Sequence, residues 1–216
     1  MFPFFDPSDP FPLLSSIEGT YEAAKTHSRA VDAWLGLEVA GVEAGLSGKN
    51  LPWAGLAPET LLTPYTELRY LLSRLGLEDG STVVELGAGY ARMAHVIARH
   101  HAGTGYVGVE SVGARAEEAR RVLALRGAGN SVVETRDLLS KDEPLPEGDV
   151  FFLYDLTGRA ADTRAILLKL RECAKAGSIS VVGRGRATRD AIERSHPWLS
   201  GVREPRHFGN FSVYRS

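Results

Sequence analysis

Cysteine is almost absent: Cys173 is the only one in 216 residues, so no internal disulfide can brace the fold. It sits in an apolar helical run and reads as a buried thiol. Long apolar runs are missing too, and none approaches the ~20 residues that a membrane span needs. The opening stretch, Met1-Phe2-Pro3-Phe4-Phe5-Asp6-Pro7, lacks the basic start and continuous apolar segment of a signal peptide. A cytoplasmic protein that does not enter a membrane is the expectation. Charge of one sign is scarce: 25 Lys and Arg against 27 Asp and Glu leave a formal net charge of -2. Such a balance does not suggest a nucleic-acid partner. The six histidines show no spacing with cysteine or acids that would build a metal site. No internal repeat or low-complexity segment is present.

What is present is ordinary globular composition, 44% hydrophobic and 24% charged. The length allows one α/β domain with an extension. Residues 1–14 carry several prolines and four phenylalanines, which read as an extended arm packed on the domain or on a second copy. From Ser15 to about Gly48 the chain reads as helix. Val31, Leu35, Val39, Val42 and Leu46 form its apolar stripe, and Gly36, Gly41 and Gly45 bend or split it. A loop around Trp53 follows. Thr63 reads as a helix N-cap with Pro64 at the first helical position; Leu68, Leu71, Leu72 and Leu75 form the apolar face and Gly76 ends the helix.

Beyond Asp79-Gly80 strand and helix alternate, the pattern of a parallel sheet with right-handed crossovers. Strands are expected at Val83 to Leu86, Gly105 to Glu110, Ser131 to Thr135, Asp149 to Asp155 and Ser178 to Val182. The helices between them are expected at Met93 to Arg99, Ala114 to Leu125 and Thr163 to Ala176. Two last strands are expected around Val202 to Glu204 and Asn210 to Tyr214. Organisation centres on Val83-Val84-Glu85-Leu86-Gly87-Ala88-Gly89-Tyr90-Ala91-Arg92. A β-branched run ends in a carboxylate, a glycine turn follows, and a helix begins. Strand, glycine turn and helix form the unit that seats a nucleotide-like ligand at the carboxyl end of a parallel sheet.

This stretch resembles the first motif of class I S-adenosylmethionine (SAM) dependent methyltransferases, apolar-apolar-acid-apolar-Gly-x-Gly-x-Gly. Glu85, Gly87 and Gly89 match, while Ala91 replaces the third glycine. The resemblance runs from about residue 61 to residue 216. It implies an α/β fold with a doubly wound, mostly parallel seven-stranded sheet, an antiparallel C-terminal strand and an N-terminal helical extension. The division it implies is an arm and helical cap over residues 1–60 and a SAM-binding domain over residues 61–216. Glu110 then stands where the family's acid accepts hydrogen bonds from the ribose hydroxyls. Asp137, with Leu138 beside it, stands where an acid contacts the adenine amino group. Asp155 falls at the end of the fourth strand in Leu153-Tyr154-Asp155-Leu156-Thr157-Gly158, the place of the active-site motif.

Because side chains alternate along a strand, Tyr154 is expected to point to the opposite side and into the core. Tyr65 and Glu67 are faintly similar to the Tyr-x-Glu segment of non-SET histone lysine methyltransferases. On that likeness Tyr65 faces the sulfonium as a catalytic residue and Glu67 binds the amino-acid end of SAM; the plain alternative is two residues in the first turn of a helix. Arg184 and Arg186 read either as a clamp for a substrate anion or as a solvated loop. His207 precedes the final strand, near the same rim.

The resulting expectation is a methyltransferase acting on nitrogen of a protein side chain or small molecule. Two alternatives stand beside it: a SAM-binding module without catalysis that holds a partner, and an NAD-dependent oxidoreductase. The oxidoreductase would need a glycine where Arg92 stands, and its pyrophosphate would lie near Glu85. The acceptor and the oligomeric state are not written in these motifs.

Overall fold

A computed structural model describes residues 2–47, 61–156 and 159–216. The expected loop around Trp53, and Thr157 and Gly158, lie outside the described residues. Seven strands form one sheet: β1 (Thr82–Leu86), β2 (Gly105–Glu110), β3 (Ser131–Thr135), β4 (Val150–Leu153), β5 (Ser180–Arg184), β6 (Arg206–Phe208) and β7 (Phe211–Arg215). Their order across the sheet is β3-β2-β1-β4-β5-β7-β6. The first five run parallel, with Val84 beside Val107 on one flank and Phe151 on the other. The last two are antiparallel, and Arg184 at the end of β5 pairs with Phe211 at the start of β7. Order reverses between β1, which continues to β2, and its other neighbour β4. That switch point opens a crevice at the carboxyl ends of the strands.

Central strands are buried on both faces, so they read as unbroken apolar runs. Val150-Phe151-Phe152-Leu153 fills β4 and is buried throughout. Helices α1 (Tyr21–Leu35), α2 (Val39–Leu46), α3 (Tyr65–Ser73), α4 (Arg92–His100) and α5 (Gly113–Arg126) precede the fourth strand. After it come α6 (Ala160–Cys173), α7 (Arg186–Ser195) and α8 (Pro197–Ser200). One sheet face packs Val83, Tyr106 and Phe152 against α3, α4 and α5. The other packs Val84, Phe151 and Val181 against Leu167 of α6 and Ile192 of α7. Residues of the N-terminal segment belong to the first of these layers: Phe11, Val31 and Leu35 are buried in it. Phe11 stacks on Tyr65 with ring centres 5.2 Å apart.

Several sequence expectations shift. The single helix over residues 15–48 is two helices, because Gly36 takes a left-handed φ of 81° and ends α1. There Leu37 N–H donates to Asp32 O, closing the turn. Pro64, not Thr63, is the N-cap of α3; it is extended and no side chain caps that end. Residues 186–200, for which no element was expected, form α7 and α8, and β6 lies four residues later than its expected start. Cys173 is only half-buried at the end of α6. Among the described residues no helix is long and apolar enough to cross a membrane.

A candidate cofactor cavity at the strand ends

At the switch point a cavity is walled by the Gly87–Arg92 turn, the ends of β2 and β4, and the segment after β3. The turn is held from beneath, since Gly87 N–H and Ala88 N–H both donate to Val109 O, at 2.8 and 2.9 Å. Gly87 needs to be glycine on two counts. Its φ is +84°, and a Cβ there would overlap the Leu156 side chain. Ala91 is the only residue other than glycine with positive φ among the described residues, at 53°. The missing third glycine thus leaves alanine in a left-handed conformation, a strain of about 1–2 kcal/mol.

Two carboxylates are buried at this turn. Glu110, 4% exposed, accepts hydrogen bonds from Gly89 N–H and Val112 N–H, both at 2.8 Å. It ties the glycine turn to the end of β2. Burial raises its pKa, and the backbone amides oppose that rise. Glu85 accepts from the Tyr106 hydroxyl at 2.6 Å and the Tyr154 hydroxyl at 3.4 Å. Burial pushes its pKa up to about 8 despite these two donors.

Asp137 and Leu138 line the same cavity, and Asp137 accepts from Leu139 N–H at 2.9 Å. Asp155 lines it from the β4 side. Its carboxylate also accepts from Thr188 N–H at 2.7 Å and Ala187 N–H at 3.3 Å, so it caps α7 across the sheet. Gly185 permits this approach, because a Cβ there would overlap the Asp155 carboxylate.

Other sequence-nominated residues stand elsewhere. Tyr65 does not line the cavity: it is fully buried, and its hydroxyl donates to Asp32 at 2.8 Å. Glu67 does not line it either; Arg184 grips its carboxylate with Nε at 2.8 Å and Nη2 at 3.0 Å. That pairing also removes Arg184 as a free anion clamp, and Arg186 is exposed on α7 with Asp190 3.7 Å away. His207 lies exposed on the outer strand β6 against Ser212 Oγ.

Tyr154, expected in the core, does pack against the core beside Phe152, and it also lines the cavity beside Asp155. Strand β4 ends at Leu153, so alternation no longer governs the next residue. Tyr90, Arg92 and Arg115 also line the cavity and were not singled out as site residues. Glu43 of α2 binds two of them, accepting from Arg115 Nε at 2.7 Å, Arg115 Nη2 at 2.9 Å and the Tyr90 hydroxyl at 2.7 Å. One signal was available for Arg115: a cation in the first turn of a helix opposes the helix dipole. Among the described residues no group of His, Cys, Asp and Glu is arranged to hold a metal ion.

No family model and no curated protein matches the sequence. Solved structures do match in shape. An RNA methyltransferase from Salinibacter ruber in complex with S-adenosyl-L-homocysteine superposes with a TM-score of 0.51 at 21% identity, over 71% of this chain and 91% of that one. A SAM-dependent methyltransferase from Aquifex aeolicus gives 0.51 at 14% identity, over 82% and 97%. Mitomycin 7-O-methyltransferase gives 0.57 at 16%, over 90% and 66%. The chain has the seven-stranded Rossmann-like fold of class I methyltransferases.

Proposed function

We propose that this protein is a SAM-dependent methyltransferase, with nitrogen of a protein side chain or small molecule as the acceptor. The observation that carries this reading is the register of the cavity. The glycine turn, Glu110 and Asp137 stand at the ends of three adjacent parallel strands and line one cavity.

The donor set fits SAM. Each Glu110 oxygen accepts one backbone amide, and a carboxylate has about four acceptor sites, which leaves two for vicinal ribose hydroxyls. Leu138 offers an apolar wall and Asp137 an acceptor for an exocyclic amine. Glu110 beside the turn suits a ligand with vicinal hydroxyls and positive charge and opposes a pyrophosphate, while Glu85, with a pKa of about 8, adds little charge at neutral pH. When bound, SAM supplies an electrophilic methyl on a sulfonium that is already a good leaving group.

The protein's part is to place the acceptor in line. Asp155 and Tyr154 are its candidates on the β4 side. An amine acceptor is favoured because that side carries the carboxylate of Asp155, while Arg184 is already neutralised by Glu67. Asp155 would orient the amine and draw off its proton as the bond forms.

Calorimetric titration with SAM, S-adenosylhomocysteine and NAD tests the cofactor; binding of NAD alone would overturn the reading. Turnover of methyl-labelled SAM against cell extract separates an enzyme from a binding module. Label recovered on amines after acid hydrolysis is the expected product, and label recovered on oxygen would remove the nitrogen assignment.

A further inference from the structure

A second cavity lies along the same carboxyl rim, between the start of α1, the first turn of α3 and the turn joining β6 to β7. Glu67 lines it, and Arg184 holds Glu67 from one side while its guanidinium faces the Tyr154 ring at 5.8 Å. One ion pair and one ring therefore separate it from the first cavity.

Three donors stand beside it at the start of α3. Thr66 is 1% exposed and lines the cavity, yet its hydroxyl has no hydrogen-bond partner. Thr66 stands in the first turn of α3, where no helical carbonyl lies one turn back, so its buried hydroxyl is left idle beside the cavity. The helical ladder of α3 begins at Leu68 N–H, which donates to Pro64 O. The amides of Thr66 and Glu67 precede it and have no partner within the helix. Tyr65 N–H, by contrast, is taken by Ser28 Oγ at 3.2 Å.

Beside these donors stand two acids, Glu67 and, at the mouth, exposed Glu18. Among the described residues no lysine or arginine lines the cavity. Lys25 lies over the Tyr21 ring and is paired with Glu22. Donors call for a ligand oxygen. Arg184 already neutralises Glu67, so Glu18 is the acid that disfavours a carboxylate there and favours a cation next to the oxygen. A neutral carbonyl a few bonds from an ammonium satisfies both.

We propose that this second cavity binds an amino amide. Resting on the methyl-transfer reading, that group is the handle by which the acceptor is held while its reacting atom reaches the first cavity. Thr66 Oγ and the helix-start amides hold the carbonyl, and Glu18 holds the ammonium.

The test is a nitrogen-15 NMR titration of the whole protein at neutral pH with alaninamide, alanine and N-acetylalaninamide. Alaninamide is expected to shift the amides of Thr66, Glu67 and Asn210. Alanine, with its carboxylate, and N-acetylalaninamide, without its ammonium, should each bind about tenfold more weakly. Thr66→Val and Glu18→Gln should weaken alaninamide while leaving S-adenosylhomocysteine affinity unchanged. Thr66→Val keeps the side-chain shape and Glu18 is exposed, so both variants should fold. Equal binding of the three probes, shifts elsewhere only, or unaltered alaninamide affinity in both variants would overturn the proposal. Alaninamide binding without S-adenosylhomocysteine binding would sink the transfer reading and leave the site standing. The reverse result would sink the site alone.

Discussion

Removing the Glu110 carboxylate should damage stability and ligand affinity separately, and the geometry gives a size for each. Both oxygens accept a backbone amide at 2.8 Å, Gly89 N–H on one side and Val112 N–H on the other. The residue is 4% exposed, so water replaces these bonds poorly. Hydrogen bonds to a charged group contribute about 1.5–3 kcal/mol each. Two of them set a range of about 3–6 kcal/mol for Glu110→Ala. Burial disfavours the charged carboxylate, and losing that charge offsets part of the loss. The expected destabilisation is therefore at the lower end, about 3 kcal/mol. Glu110→Gln keeps one acceptor oxygen and should lose about half as much.

Ligand affinity follows a different count. Two further acceptor positions on the carboxylate face the proposed ribose, and losing them should weaken S-adenosylhomocysteine by roughly ten- to a hundred-fold. Urea unfolding of the three proteins reads the first quantity and calorimetric titration of the folded variants reads the second. Coincident unfolding midpoints would refute the tie between turn and strand. Equal affinities would refute the ligand placement even if the stability loss is found.

Asp32→Ala should destabilise by about 3–5 kcal/mol in urea, because it strands the buried Arg92 guanidinium that Asp32 now pairs. For Asp155→Ala, loss of the cap on α7 should cost about 1–2 kcal/mol. The same variant should depress turnover while S-adenosylhomocysteine still binds, and unchanged turnover would remove Asp155 from the site. His95 is 4% exposed and burial lowers its pKa to about 4, so it folds neutral. The unfolded chain takes up the proton first as pH falls below about 6.5, so stability is full above that pH and declines toward pH 4. At pH 5 the wild type should have lost about 2 kcal/mol more than His95→Leu, whose remaining decline comes from His27, His100, His101 and His196, also lowered by burial; parallel pH profiles for the two proteins would refute it.

The strands were legible because each is a local event. An apolar run, a terminal acid and a glycine turn lie within ten consecutive residues, and β2 and β3 fall on their expected bounds. The cavity acids were legible for the same reason, since strand ends converge wherever a parallel sheet switches direction. What could not be read depends on partners distant in sequence. Tyr65 looked exposed to a ligand, but Asp32, thirty-three residues earlier, takes its hydroxyl. Glu67 is claimed by Arg184, one hundred and seventeen residues later. Helix α7 is capped by Asp155, two residues beyond the end of β4, so residues 186–195 carry no N-cap signal of their own.

Ala91 shows how the N-terminal segment enters the cavity's construction. Its left-handed backbone is strained, yet the turn around it is the floor of the site. The residues on either side are both held by helices that precede position 48. Tyr90 donates to Glu43 of α2, and Arg92 donates to Asp32 of α1 and to Thr63 O at 3.3 Å. Each of those contacts outweighs or matches the strain of about 1–2 kcal/mol that a left-handed alanine carries. The same segment supplies Phe11 and Val31 to the apolar layer under α3 and α4. A cap that merely covered the ligand would leave that layer closed when removed. Here removal of residues 1–60 opens the layer, strands Arg92 and frees the turn at both ends. Loss of turnover on such a truncation should therefore come with loss of cooperative unfolding.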